Sequence, residues 1–322
     1  MEQNEQNQKF ISIMIPCYNE HDNILLIYKK IQQVFEKLNY QYEIIFADNC
    51  SSDGSQSLLR TLAKQDKRIK VILNNRNYGV ERSCTNAFML CTGDAVIQIA
   101  CDLQDPPELI PKFLHYWEQG YELVLGQKQT TRDKFLTKTC RNIYYKVMSH
   151  LSENGHVPNV TGYGLYDKKV MDMLRWMSDP LPYTRGIICD LGYKMKLVPY
   201  DKTNRKSGKS SYNMSRYIDT AVWGMVSASR KPIKYIRMLS IILALIAIFL
   251  FFIGIIFNET LQIILLISSI ITFSCAIVTF CIYILAEYIS IILTKVTKRP
   301  MTVSEEMINI DLKETETTLY GH

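Results

Sequence analysis

No CxxC pair occurs in the sequence, and no cysteine–histidine spacing of the kind that builds a metal site. Its nine cysteines therefore read as reduced thiols filling apolar space, Cys275 and Cys281 among them within an apolar run. No GxGxxG follows the first apolar strand and no GxxxxGK[ST] occurs, which removes the dinucleotide-binding and P-loop classes. The opening MEQNEQNQ lacks an apolar core, so no cleavable signal peptide is expected. Charge of one sign is also scarce: 37 Lys and Arg against 31 Asp and Glu leave a net charge of +6. That excess is spread along the chain, so nucleic acid is not an expected partner, and an anionic lipid or a phosphate fits better. With 322 residues and 48% hydrophobic content, the chain has ample material for a core, and disorder is excluded for most of it.

Strand and helix signals alternate through the first two thirds. Short apolar runs at 10–15, 42–47, 69–74 and 95–100 read as strands, the last three each preceded by a helix-like segment. Residues 22–38 carry apolar side chains at helical spacing with a cap near Asp22, and 54–64 follow an acidic turn. This pattern predicts a mostly parallel sheet with helices on both faces, and such sheets bind ligands beyond the carboxyl ends of their strands. Polar turns stand at those ends: PCYNE (16–20), ADNCSSDGS (47–55), NNRNYG (74–79) and ACDLQDPPE (100–108). An acid after the second strand can bond a base or a ribose. Acids after the fourth can hold a divalent cation against a diphosphate.

The last third is apolar. Residues 238–257 are uncharged, and 261–293 are interrupted only by Glu287. Each run reaches the roughly 20 residues that span a bilayer. Only Asn258-Glu259-Thr260 separates them, while Arg230, Lys231, Lys234 and Arg237 flank one side and Lys295, Lys298 and Arg299 the other. The positive-inside rule then predicts a membrane hairpin with both termini cytoplasmic. The expected protein is multi-pass in the inner or plasma membrane, and its basic segment 230–237 lies along the membrane surface.

With these motifs the chain resembles glycosyltransferase family 2 proteins of GT-A fold, and within them the polyprenyl-phosphate sugar transferases related to dolichol-phosphate mannose synthase and the bactoprenol glucosyltransferases. The resemblance runs over about residues 9 to 303. It includes PxYNE, the acidic turn after strand two, RNYG (76–79), TGDA (92–95), DLQDPPE (102–108), RKSGKSSY (205–212), Glu287-Tyr288 and Arg299-Pro300. It implies an α/β fold: a GT-A, Rossmann-like catalytic domain with a mostly parallel sheet, followed by two C-terminal transmembrane helices. The organisation expected is a disordered tail at 1–8, the GT-A domain at 9–229, the basic segment, spans at 238–257 and 261–286, and a cytoplasmic tail at 287–322. Pro16, Tyr18, Glu20, Asp48 and Asn49 would bind the donor with Asp102 and Gln104, the last two also holding Mg2+ or Mn2+ on its diphosphate. Arg205 and Ser210, with Asp102, would carry catalysis, contacting phosphate by charge-assisted bonds. Lys128, Arg132 and Arg141 would hold the acceptor phosphate.

Many relatives have an acid where this chain has Ala100, a second Asp at Asn49, and an Asp with a nearby Arg at Gly162 and Gly164. A hydroxyl acceptor usually needs a base, whereas a phosphate monoester is largely anionic near neutral pH. Gly162 therefore favours a phosphate acceptor. The expected partners are a nucleotide-sugar donor, a polyprenyl phosphate lipid and the membrane, with a homo-oligomer allowed. The expected function is a membrane-bound inverting transfer of a sugar to polyprenyl phosphate for cell-envelope glycan assembly. The alternatives are a transferase acting on a saccharide or other lipid hydroxyl, and a catalytically silent membrane scaffold. A processive synthase is disfavoured, since DMLRW (172–176) has Asp where its QxxRW motif needs Gln.

Overall fold

The computed structural model describes residues 8–129, 157, 159–177, 191–201, 260–296 and 301–310. Its strands are β1 (Phe10–Cys17), β2 (Gln41–Asp48), β3 (Ile69–Asn74), β4 (Ala95–Gln98), β5 (Leu123–Lys128), β6 (Val160–Asp167), β7 (Met195–Tyr200) and β8 (Ser304–Ile308). They join in one sheet of order β7-β5-β6-β4-β1-β2-β3-β8. The run β3-β2-β1-β4 is parallel, and antiparallel pairing adds β6 and β8 at its two sides.

Side-chain alternation along the strands divides the core in two. On β1, Ile11, Ile13, Ile15 and Cys17 face one cluster and Met14 the other. The first cluster is closed by α1 (His21–Phe35), α2 (Ser55–Gln65) and α4 (Ile110–Glu118). On α1 it is built by Ile24, Ile27, Ile31 and Phe35, all buried and all on one stripe of a 3.6-residue period. The second cluster is closed by α3 (Val80–Met89) and α5 (Lys168–Met177). Crossovers to β2 and β3 run one way from β1, and the crossover to β4 runs the other way. Right-handed connections then put α1 and α2 on one face and α3 on the opposite one, leaving a crevice at the carboxyl ends of β1 and β4.

The opposite pole of the sheet is polar but structural. Glu43, 2% exposed, accepts hydrogen bonds from the Ser12 hydroxyl and from the Thr92 amide and hydroxyl, and pairs with Lys70. Asp94 accepts the Phe10 amide at 2.9 Å. TGDA thus ties the start of β4 to the start of β1, away from the crevice.

The expectation of two C-terminal transmembrane helices is corrected. The span at 238–257 lies outside the described residues. The span at 261–286 falls within α6 (Thr260–Val296), and among the described residues no helix is long and apolar enough to cross a membrane. Multi-pass placement in the inner or plasma membrane, and the membrane as a partner, rested on those spans and are corrected with them. After α6 the chain forms β8, which covers the β3 edge within a stretch read from sequence as a tail.

Candidate active site

The first two turns of the crevice are knotted together. After β1, Asn19 takes the left-handed conformation, φ 55°, its amide donating to Ser51 Oγ and its Oδ1 accepting from the Ser52 amide, each at 2.8 Å. The Glu20 amide donates to Ser55 Oγ at 3.3 Å, and Glu20 Oε2 accepts from Asn23 Nδ2 at 2.5 Å. Asp53 accepts the amides of His21 and Ser55. Desolvation pushes its carboxyl pKa up, but the bonds from Ser55 and His21 outweigh that and leave it below the usual range. Pro16 is half-buried and Tyr18, just past β1, is 40% exposed.

Asp48 is fully buried and accepts from the Ser51 amide and hydroxyl and from Gln56 Nε2. Here its carboxylate shapes the turn. Asn49, also buried, is the bridge to the third turn. Its Nδ2 donates to Asn77 Oδ1 at 3.0 Å, and its Oδ1 accepts from the Tyr78 amide at 3.0 Å and from Asn74 Nδ2 at 3.4 Å. An acid at 49 could not donate to Asn77, so the amide suits this loop better than the Asp common in relatives. Asn74 also donates to Ser83 Oγ at 3.2 Å, tying the loop to α3.

The fourth turn is bent by Leu103. Its side chain is 5% exposed in the core, while its backbone is left-handed with φ 57°, a conformation that is costly for a branched apolar residue and is stored at functional sites. The anchor below and the bend above present Asp102 and Gln104 side by side, both half-buried, with the Gln104 amide donating to Asp102 Oδ1 at 3.1 Å. Asp105 points inward and accepts from the Tyr200 hydroxyl at 2.5 Å. Tyr163 donates to Pro106 O at 2.6 Å and meets the Tyr200 ring edge-on at 5.5 Å between centroids. The end of β7 therefore holds the acidic turn in place. Tyr200→Phe should lose about 2 kcal/mol of stability, since a buried carboxyl loses a hydrogen bond. Urea denaturation checks this, and turnover should fall as the turn loosens.

The positions of the missing acids are filled in other ways. Gly162 sits at φ 95°, and a Cβ there would lie 3.2 Å from Gln98 Nε2, while at Gly164 it would lie 2.5 Å from the Val124 carbonyl. At Gly164 the β5 backbone is thus too close for any side chain, whereas at Gly162 an Asp would meet the positive φ and would need the Gln98 side chain to shift by a few tenths of an ångström. Beneath the crevice, Cys17 and Cys101 are both buried. Burial first, then a hydrogen bond and charge from Cys101, push the Cys17 thiol up, so it stays protonated and inert.

The structure brings Pro16, Tyr18, Glu20, Asp48, Asn49, Asp102 and Gln104 to the ends of β1, β2 and β4. Lys128 ends β5 beside Tyr200 of β7. Arg132, Arg141, Arg205 and Ser210 lie outside the described residues. Sequence reasoning passed over Ser51, Asn74, Asn77, Asp105 and Tyr200. The turn composition of the first three carries a local signal, whereas the pairing of Asp105 with Tyr200 across 95 positions has none. Metal binding as a ready-made property is also corrected: among the described residues no group of three or more His, Cys, Asp or Glu is placed to hold a metal ion. With the membrane spans goes the expected lipid partner, polyprenyl phosphate, and with that the reading of the function as lipid-phosphate glycosylation.

The family described as Glycosyl transferase family 2 matches residues 12–174. The Bacillus subtilis glycosyltransferase-family protein CsbB is 30% identical over 314 residues, covering 96% of this chain and 95% of that one. The prophage bactoprenol glucosyl transferase homolog of Escherichia coli is 28% identical, covering 74% of this chain and 78% of its own. Among solved structures, glucosyl-3-phosphoglycerate synthase from Mycobacterium tuberculosis in complex with Mn2+, UDP and phosphoglyceric acid has a TM-score of 0.50 at 18% identity, covering 68% of this chain and 78% of that one. That likeness is one of fold.

Proposed function

Because the chain belongs to glycosyl transferase family 2, we propose that it moves a sugar from a nucleotide-sugar donor to a hydroxyl group of a saccharide or similar acceptor. The observation that carries the donor half is the convergence of four polar turns on the carboxyl ends of the parallel neighbours β1 to β4, where the strand order reverses. Tyr18 offers a ring against the base, and Pro16, Glu20 and the Asp48–Asn49 turn frame the nucleoside. Asp102 stands where the diphosphate would emerge. With lipid phosphate set aside, the acceptor is read as a hydroxyl; this reverses the preference drawn from Gly162 and requires that a group other than residue 162 take the hydroxyl proton.

Asp102, with Gln104 beside it, would hold a divalent cation, Mg2+ or Mn2+, jointly with the phosphates of the donor. One carboxylate suffices for such a site, because Mg2+ commonly takes one or two carboxylates and completes its shell with substrate phosphates and water. A bound cation neutralises charge on the departing nucleoside diphosphate. The chain's own contribution is to hold Asp102 rigid, through Leu103 below and through the Asp105–Tyr200 bond behind it. Arg205 and Ser210 as phosphate contacts, and Lys128, Arg132 and Arg141 on the acceptor side, rest on the resemblance alone. Chelation with EDTA should abolish turnover, and Mn2+ or Mg2+ should restore it. Full activity in chelator would remove the cation from this account.

The experiment that tests the reading is mass spectrometry of products after incubating the full chain with a panel of nucleotide sugars and two acceptor sets, saccharides and polyprenyl phosphate. A glycosylated saccharide is the expected product. Glycosylation of polyprenyl phosphate alone would overturn the hydroxyl assignment.

A further inference from the structure

We propose that the C-terminal strand β8 is a working part of the donor site, positioning the 74–79 loop, and that Asn309 is the residue that locks the strand in place. The inference rests on the reading of the crevice as a nucleotide-sugar site. It starts from the register: Val71 pairs with Ile308, Ile72 with Met307 and Leu73 with Glu306, and after a bulge Asn74 pairs with Ser304. Just beyond β3, the Asn75 amide donates to the Val303 carbonyl at 3.1 Å. The loop that follows reaches Asn77 and Tyr78, both bonded to Asn49 at the centre of the candidate site. The loop is thus fastened from inside by Asn49 and from outside by the chain that leads into β8.

The two ends of β8 differ in how well they are held. At the end nearer the loop, buried polar atoms on Asn74 (Oδ1), Thr302 (Oγ1) and Ser304 (Oγ) have no hydrogen-bond partner among the described residues. Such atoms weaken the hold at the near end, which the Asn75–Val303 bond supplies, so more of the docking falls to the far end. There, Asn309 takes φ 58° and its Nδ2 donates to both the Ala63 and Ile69 carbonyls at 2.8 Å. It thereby pins the strand to the end of α2 and the start of β3. Its Oδ1 accepts from Lys67 Nζ at 3.3 Å, and Glu306 pairs with Arg60 at 2.7 Å. Met301, Met307 and Ile310 rest on the α3-side core. Asn309 meets two requirements at once, since Asn tolerates the left-handed backbone and carries the amide that bridges two carbonyls. It touches no substrate, so its role is positional.

The test uses the full chain and the variant Asn309→Gly, which accepts the left-handed backbone without strain and removes the side chain with its bridging amide. Hydrogen exchange is followed in peptides covering 74–79 and, as a control, β1, and UDP and GDP are titrated separately with Mn2+ present. Exchange at 74–79 should rise about tenfold with β1 unchanged, and affinity for whichever nucleotide binds should fall about fivefold or more. A strand that exchanges freely at 304–308 while 74–79 stays protected overturns the proposal. If the wild type binds neither nucleotide, the donor-site reading fails, and the exchange data still decide the positional role. Should Asn309→Gly not fold, Glu306→Gln loosens only the exposed pair with Arg60. It should raise exchange at 74–79 by a smaller factor, and no rise there while 304–308 itself loosens counts against the proposal.

Discussion

Asp102→Ala should lower turnover by about a hundredfold or more, equivalent to roughly 3 kcal/mol of lost charge stabilisation in the transition state, while leaving the fold intact. The carboxylate is half-buried at the bend after β4, and the core beneath it is made by Leu103 and Cys101, not by Asp102 itself. Its removal therefore opens no cavity. What it removes is the negative group that would hold a cation against the donor's diphosphate, where Ala100 supplies no second acid. The load would therefore fall on one side chain. Steady-state kinetics with the best donor, alongside a urea melt, separates the effects. A normal melt with hundredfold lower turnover is expected, and wild-type turnover would reject the assignment.

Asn49→Leu is expected to have the next largest effect, this time on both stability and donor use. The substitution is close in volume but strips the bridge from Asn77, the Tyr78 amide and Asn74. Asn74 is 1% exposed, so its amide cannot turn to water. Loss of the network should cost about 2 kcal/mol, or a fall in Tm of about 4–8 °C for a domain of this size. The loosened 74–79 loop should raise the donor KM about tenfold while kcat changes little, because the loop frames the nucleotide and lies apart from Asp102. Asn49→Asp should fall between, keeping both acceptor bonds but setting a carboxylate against Asn77 Oδ1. Differential scanning calorimetry and a donor titration check both numbers. An unchanged KM with a lowered Tm would assign Asn49 a purely structural part.

Much of this architecture is legible from local pattern. β3 coincides with 69–74, and the stripe on α1 is visible in its isoleucines, because side-chain burial imposes a period that the sequence must carry. β1 runs on through Pro16 and Cys17 since Asp48 of β2 continues to pair with it. β4 stops at Gln98, where its pairing with β1 and β6 ends, although the apolar run continues and the Ile99 amide still donates to the Met14 carbonyl at 3.1 Å. The turns of the site were visible as turns. Which atoms they join was not, because the bonds of Asn49 to Asn77 and of Asp105 to Tyr200 depend on strand order. β8 escaped for a similar reason: SEEMI has no sustained alternation, and its place is set by Asn309 and by the open edge of β3. The apolar run at 261–293 misled in the other direction, while that at 238–257 lies outside the described residues. A run of apolar residues has one signature whether it meets lipid or protein, and it says nothing of the strand that follows and returns to the sheet.

The claim on which everything else depends is that the ends of β1, β2 and β3 hold the nucleoside and the end of β4 the diphosphate. Photoaffinity labelling of the full chain with azido derivatives of UDP- and GDP-sugars, followed by peptide mapping, tests it most directly. Adducts in 16–20, 47–55 or 74–79, competed away by the unmodified nucleotide, are the predicted result. Competed adducts confined to the outer faces of α1, α2 or α6, or labelling that the nucleotide does not compete, would contradict it.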